Sequence, residues 1–307
     1  MKKLAMEELI SVVIPTFNRG KILMGVLPSY LRQKYIKEVI IVDDLSSDNT
    51  GALVKDLQLE NNKIRYIKNH KRSGTNQTSN NGLRIASGDF IFIGEDDVEL
   101  SDDHLEILLA HLQKEDADII SGRRIWVRLG ESNEQALERA DKTPGPEIDY
   151  RTILTNFEGV SEDDVEVPVL DACMLIKRRV TDLVEFDAGL YKDAVGWRGE
   201  TDFQLSAAAQ GLKLVFCPHT YCLHRPRRPR NLIRTIVYDY YAFKNNFLFL
   251  KKHKNFIAEN FEFKNIILIY FFGLFTILKG NLLVLGGKVK KVLKRFFLSR
   301  TLTGQGK

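Results

Sequence analysis

Three consecutive carboxylates, Glu95, Asp96 and Asp97, follow the apolar run Phe90-Ile91-Phe92-Ile93 after a single glycine. Such a cluster repels itself unless a cation neutralises it. Hard oxygen ligands suit Mg2+ or Mn2+, and a metal of that kind commonly also holds a diphosphate. If strand alternation continues through the acids, Glu95 and Asp97 share one side as metal ligands while Asp96 turns to the other. On these residues alone, a solvated acidic turn leading to a helix capped by Ser101 remains the alternative. A second carboxylate group lies in WRGETDF, residues 197–203, where Glu200 and Asp202 flank Thr201 ahead of a helix. The helix dipole and free N–H groups hold a carboxylate ionised there, which suits a general base, although capping the helix is an equally ordinary use. A third group is CPHTYCLHRPRRPR, residues 217–230. His224 can complete a metal's coordination, and Arg225, Arg227, Arg228 and Arg230 can neutralise a diphosphate. Cys217, His219, Cys222 and His224 also invite a zinc reading, but their spacing is tighter than the usual paired-ligand knuckle.

These groups need elements to position them. Residues 9–18, LISVVIPTFN, read as a strand stopped by Pro15, with Thr16 and Asn18 as polar groups at its carboxyl end. Residues 38–44, EVIIVDD, repeat the arrangement and end in Asp43 and Asp44. Helices are expected over 21–32, 49–60, 74–86 and 101–114, with strands at 63–67, 89–93 and 118–127. Strand alternating with helix predicts a doubly wound, mostly parallel α/β sheet, which binds ligands outside the carboxyl ends of its strands. Neither G-x-G-x-x-G nor G-x-x-x-x-G-K-[ST] occurs, so the phosphate cradles those motifs build are not expected. Residues 130–166 are polar, contain Pro144-Gly145-Pro146 and read as a long surface excursion suited to covering a substrate. Strand character returns at 167–177, a helix fits 201–210, and 212–216 reads as a further strand.

Composition bounds the rest. The 307 residues are 44% hydrophobic and 28% charged, which excludes a disordered chain. Three cysteines are too few for a disulfide framework and favour a reducing compartment. The N-terminus passes into a strand without the apolar stretch of a signal peptide, so a cytoplasmic protein is expected. The net charge of +5 is uneven: residues 263–307 hold nine Lys/Arg and no Asp/Glu, leaving the preceding residues net acidic. A boundary is expected near residue 230, with a basic helical region over 231–307. Its apolar run Ile266–Leu278 is short for a membrane span, so interfacial helices on an anionic membrane surface are favoured over a transmembrane hairpin, with a homo-oligomer interface as the other use. No Arg/aromatic groove for nucleic acid is evident.

In their order, VVIPTFNR (12–19), IIVDDLSSD (40–48), NNGLRIASGDFIFIGEDDVEL (80–100), GETDF (199–203) and the following histidine resemble the family 2 inverting glycosyltransferases of GT-A fold. The resemblance spans roughly residues 9–250. It implies that Pro15, Thr16, Asn18, Asp43 and Asp44 line the nucleotide, with Asn80, Asp96 and Arg225 completing a nucleotide-sugar-binding set. It also implies that Glu95, Asp97 and His224 hold Mn2+ or Mg2+ and that Glu200, with Asp202 two residues on, stands at the catalytic base position. Pro168–Arg179, with Asp171 and Met174, is similar to the family's acceptor-side strand. Three positions depart from the family pattern: Glu95 stands for the usual first aspartate, Gly199 stands where an acid is usual, and Thr78-Ser79-Asn80 lacks an arginine. The implied activity is metal-dependent, inverting transfer of a sugar from a nucleotide-sugar donor to a glycan or lipid-linked acceptor hydroxyl. With the basic C-terminal region, the expected location is the inner face of the cell membrane, held peripherally. A nucleotidyltransferase, or a non-catalytic sugar-nucleotide or glycan-binding protein, is the alternative.

Overall fold

The computed structural model describes residues 9–149, 153–189, 198–225 and 232–261. In chain order it contains β1 (Ile10–Thr16), α1 (Gly20–Leu31), β2 (Ile36–Asp43), α2 (Thr50–Glu60), β3 (Ile64–Lys68), α3 (Gly74–Ile85), β4 (Phe90–Ile93), β5 (Val98–Leu100) and α4 (His104–Lys114). These are followed by β6 (Ile119–Trp126), α5 (Asn133–Ala140), β7 (Glu147–Asp149), β8 (Leu154–Asn156), β9 (Val165–Glu166), β10 (Met174–Lys177), α6 (Val180–Leu183), α7 (Gly199–Ala209), β11 (Leu214–His224) and α8 (Leu232–Asn260). The chain divides into two compact units, residues 1–149 with 153–230, and residues 150–152 with 231–307.

The central strands β1, β2 and β4 are mostly apolar on both sides because both faces of the sheet are covered there. Along β1, Ile10, Val12 and Ile14 enter one core with Leu23, Leu27, Leu105 and Leu108 from α1 and α4. Val13 enters the opposite core with Leu83 of α3 and Phe203 and Ala207 of α7. Among the described residues the main sheet runs β3-β2-β1-β4-β10-β6-β11-β5, with β9 also pairing to β11. Its first four strands are parallel, as are β6 and β11, while β10 runs antiparallel between β4 and β6. The carboxyl ends of β1, β2, β4 and β6 and the amino end of β10 therefore meet along one sheet edge.

Several expectations are corrected. Pro15 does not stop β1: β4 ends opposite Val13, so the missing N–H of Pro15 costs no ladder bond on that side. Ser101 is not the cap of α4, because the short strand β5 intervenes and the helix begins at His104. The polar excursion after residue 130 is not structureless. Ser132 and Gln135 form a reciprocal capping box that starts α5, and β7 pairs with β8. β11 runs on to His224, eleven residues, with a register shift between Phe216 and Tyr221.

In the second unit only α8 and Phe261 are described. Ala242, Asn246, Phe249, Leu250, His253 and Ile257 recur at helical spacing and are buried, whereas Val237, Tyr240 and Phe247 are exposed. Among the described residues no helix is long and apolar enough to cross a membrane. The run Ile266–Leu278 and the basic tail lie outside the described residues.

Candidate active site

The sheet edge gathers the acids. β4 ends at Ile93, and Glu95–Asp97 form a turn, so strand alternation does not apply to them. Asp96 and Asp97 consequently face one cation instead of opposite sides: Arg19 reaches Asp96 Oδ1 at 2.7 Å and Asp97 Oδ2 at 2.5 Å. Thr16 Oγ1 donates to the other oxygen of Asp96 at 2.7 Å. Burial pushes the Asp96 carboxyl up to about 7, against the opposing pull of Arg19.

β5 sets the far side of this turn. Its Val98 lies opposite His224 of β11, and Arg225 N–H donates to the Asp97 carbonyl at 2.8 Å. His224 Nε2 is thereby held 3.5 Å from Asp97 Oδ2, with both side chains almost wholly buried. Glu95, Asp97 and His224 each offer one ligand atom, and these atoms lie within 4.8 Å of one another. Two carboxylates and an imidazole fit a divalent cation, and the nitrogen donor suits Mn2+ better than Mg2+. Trp126, half exposed, covers His224 with ring centroids 4.1 Å apart.

Arg124 links this group to the second. It pairs with Glu95 through one nitrogen and with Asp171 through the other, at 3.1 and 3.2 Å to the two Asp171 oxygens. Glu200, in the first turn of α7, is partly exposed in the same field. Burial and then the Glu95 charge push its carboxyl up to about 7, outweighing the helix terminus that was expected to keep it ionised. Asp202 is fully buried, so of the two acids only Glu200 presents itself to a substrate.

Helix α7 starts here because Arg198 takes a left-handed backbone with φ of 78°, and its guanidinium donates to the Ile153 carbonyl at 2.6 Å. The next residue has no room for a side chain: a Cβ on Gly199 would lie 2.4 Å from Asn76 Oδ1. Asn76 is itself buried and donates to the Asp187 carbonyl at 3.1 Å. Gly199→Asp, which would restore an acid there, is therefore expected to destabilise the protein by about 1–3 kcal/mol, read as a lower denaturant midpoint at unchanged slope. An unchanged midpoint would mean that Asn76 moves aside freely.

The remaining expected residues line the loops after β1 and β2. Asn18 has φ of 52°, a conformation that asparagine tolerates, and its Oδ1 accepts from the N–H groups of Ser47 at 2.8 Å and Asp48 at 3.2 Å. Asp44 accepts from the N–H groups of Ser73 at 2.8 Å and Gly74 at 3.0 Å, at the start of α3, and lies 3.4 Å from Arg72. Asp43 accepts from Ser46 N–H at 2.7 Å and the Tyr66 hydroxyl at 2.5 Å, an internal duty. Two expected contacts are reassigned. Asn80 spends both ends of its amide on the Phe186 backbone, and Arg225 spends its guanidinium on Glu99 and on Asn133. Arg227, Arg228 and Arg230 lie outside the described residues. Arg19 and Arg124 escaped the sequence reading. Arg123-Arg124 inside the otherwise apolar β6 was the available signal, since arginine is seldom buried without a partner of function or charge.

A mostly parallel α/β sheet with carboxylates along its carboxyl edge is the class of fold the structure defines, and fold alone does not fix its chemistry. The family model described as glycosyl transferase family 2 matches residues 11–182, and the chain belongs to that family. It is thus a glycosyltransferase. It is 29% identical over 231 residues to glycosyltransferase GlyG of Streptococcus pneumoniae, across 75% of this chain and 74% of that one. It is 39% identical over 102 residues to the GalNAc(5)-diNAcBac-PP-undecaprenol beta-1,3-glucosyltransferase of Campylobacter jejuni, a match spanning 33% of each chain. Among solved structures, GalNAc-T7 with UDP, GalNAc and Mn2+ superposes with a TM-score of 0.59 at 18% identity, over 72% of this chain and 44% of that one. At that identity the likeness shows the GT-A fold alone.

Proposed function

We propose that this glycosyltransferase is metal-dependent and inverting, and that it moves a sugar from a nucleotide diphosphate donor to a hydroxyl of a lipid-linked or polymeric glycan. The observation that supports the reading is that the ligand atoms of Glu95, Asp97 and His224 lie within 4.8 Å of one another while the Glu200 carboxyl is raised to about 7. In this reading Thr16, Asn18 and Asp44 bound the nucleotide beyond β1 and β2. Glu95, Asp97 and His224 hold the cation, which supplies charge compensation for the departing diphosphate. Glu200 takes the proton of the acceptor hydroxyl as its oxygen bonds to the anomeric carbon, and the bond from that carbon to the diphosphate oxygen breaks. Attack opposite the leaving group inverts the anomeric centre. Arg124, held by Asp171, keeps Glu95 and Glu200 from repelling each other out of the site.

The named activity of the Campylobacter jejuni relative, on an undecaprenol-linked glycan, supports a lipid-linked acceptor. A basic C-terminal region at an anionic membrane surface fits such an acceptor. Cosedimentation of the full chain with phosphatidylglycerol vesicles is expected, and its loss on deleting 263–307. Equal partitioning of both forms would remove the membrane assignment.

The reaction is tested by incubating the protein with nucleotide-sugars, Mn2+ and undecaprenyl-diphosphate-linked sugar. Nucleoside diphosphate release and a β-linked product from an α-linked donor are expected; no transfer from any nucleotide-sugar, with pyrophosphate released instead in a parallel incubation with nucleoside triphosphate and sugar 1-phosphate, would point to a nucleotidyltransferase. The base makes a further prediction. Only ionised Glu200 accepts the proton, so kcat/KM should climb about tenfold per pH unit below about 7 and level off above it. Bound Mn2+ should move the midpoint downward by offsetting the Glu95 charge. An acid limb that is unchanged in Glu200→Gln would exclude Glu200 as the base.

A further inference from the structure

A second group of side chains able to ligate a metal lies away from the active site, on the same long strand. β11 passes from His224 back through its register shift to Cys217 and His219, roughly 20 Å along the strand. There it meets His111 from the last turn of α4 and Asp164, which precedes the short strand β9. His111 Nδ1 lies 2.6 Å from Asp164 Oδ2, and His219 Nε2 lies 3.9 Å from Asp164 Oδ1. The two imidazole rings are 4.7 Å apart at 32°. The ligand atoms of His111, Asp164 and Cys217 all lie within 4.8 Å of one another.

Ordinary packing leaves part of this cluster unexplained. The Asp164 side chain is only 2% exposed, and its Oδ1 accepts no hydrogen bond among the described residues. A buried carboxylate oxygen in that state is costly, and a cation removes the cost. Cys217 is fully buried beside it. Burial, and to a smaller degree the Asp164 charge, push the thiol up to about 12, so without a metal the sulfur keeps its proton. Lys114, 3.6 Å from Asp164 Oδ2 and largely exposed, balances some of the charge but does not reach Oδ1 as a donor.

We propose that His111, Asp164, Cys217 and His219 form a structural zinc site. One sulfur, one oxygen and two nitrogens are the donors that Zn2+ takes in tetrahedral sites, and its bond lengths imply donor separations of about 3.3–3.8 Å. His111, Asp164 and Cys217 are already grouped within 4.8 Å, and His219, 3.9 Å from Asp164 Oδ1, would join them by movement of its partly exposed side chain. On binding, the Cys217 sulfur gives its proton to water and becomes the thiolate ligand. His219, with its side chain 42% exposed, gives the ion a way in from solvent. Of the four zinc-type side chains in residues 217–224, Cys217 and His219 take part; Cys222 and His224 belong to the other end of the strand. The ion would tie α4 and the end of the 130–164 excursion to β11, where β9 makes its short pairing with Val215 and Phe216. Because the folded protein binds it and the unfolded chain does not hold this arrangement, it raises the unfolding temperature.

The test uses the full chain stripped with chelator, run in wild type and in Asp97→Asn, which weakens the carboxylate set of the active site as a competing metal site. Titration with Co2+ should produce a thiolate-to-cobalt charge-transfer band saturating at one equivalent, and Zn2+ should bleach it and raise Tm. Cys217→Ser should lose the band and weaken Zn2+ binding by more than about 100-fold, since even outer-shell changes cost 10–100-fold. His219→Ala, a surface change that spares the core, should keep the band and bind Zn2+ about 10- to 100-fold more weakly. A wild-type protein without the band, a band that persists in Cys217→Ser, or unchanged zinc affinity in His219→Ala overturns the proposal.

Discussion

Glu200→Gln is expected to lower kcat by about 10²–10⁴-fold while leaving donor affinity within a few-fold of wild type. The amide matches the carboxylate in shape but cannot take a proton. The residue sits in the first turn of α7, whose start is fixed by the left-handed Arg198 and the close packing of Gly199 on Asn76, so the backbone should not move. Burial and the neighbouring Glu95 charge raise the Glu200 carboxyl to about 7, so neutralising it relieves repulsion and should not weaken the fold. The variant separates roles cleanly: lost kcat with retained donor binding places the proton transfer at Glu200. Unchanged kcat would move the base elsewhere, with Asp171 the next carboxylate of the same charge network. The rising limb of the pH profile should vanish in this variant.

Asp97→Asn has the second large expected effect, on binding more than on chemistry. Asp97 touches three parts of the site at once, through Arg19 at 2.5 Å, His224 at 3.5 Å and the Arg225 N–H on its carbonyl. Losing its charge should weaken Mn2+ binding by at least about 100-fold, because altering even an outer-shell partner costs 10–100-fold. Metal-dependent donor affinity should fall with it, and kcat/KM by about 10²–10³-fold. Arg19 keeps its 2.7 Å contact to Asp96, so the turn itself should hold. Calorimetric titration of wild type and variant with Mn2+ measures this, and equal affinities would remove Asp97 from the metal set.

Much of the scaffold was legible because the physics that selects it is local. β1, β2 and β4 announce themselves by the apolar runs 12–15, 39–42 and Phe90–Ile93, since each is covered on both faces, and polar residues that line the edge follow each run. What the sequence hid was set by long-range pairing. β5 is three residues long and forms only because β11 lies antiparallel to it, yet it brings Asp97 beside His224. Arg19 lies 77 positions before Asp96 and Arg124 lies 47 before Asp171, and no spacing rule links such pairs. Alternation failed at Asp96 because the strand had ended three residues earlier. The capping box at Ser132 and Gln135 was a local signal that the polarity of its surroundings concealed. Asn80 was placed by family pattern, and the fold uses it to hold Phe186.

On the proposed function, the carboxyl edge binds a nucleoside diphosphate through a divalent cation. Thermal unfolding in the presence of UDP, GDP, dTDP or CDP, each with and without Mn2+, addresses it directly. A rise in Tm for one nucleotide that requires Mn2+ and disappears in Asp97→Asn is the predicted result. Nucleotide stabilisation of equal size without the metal, or none with any nucleotide, would contradict it.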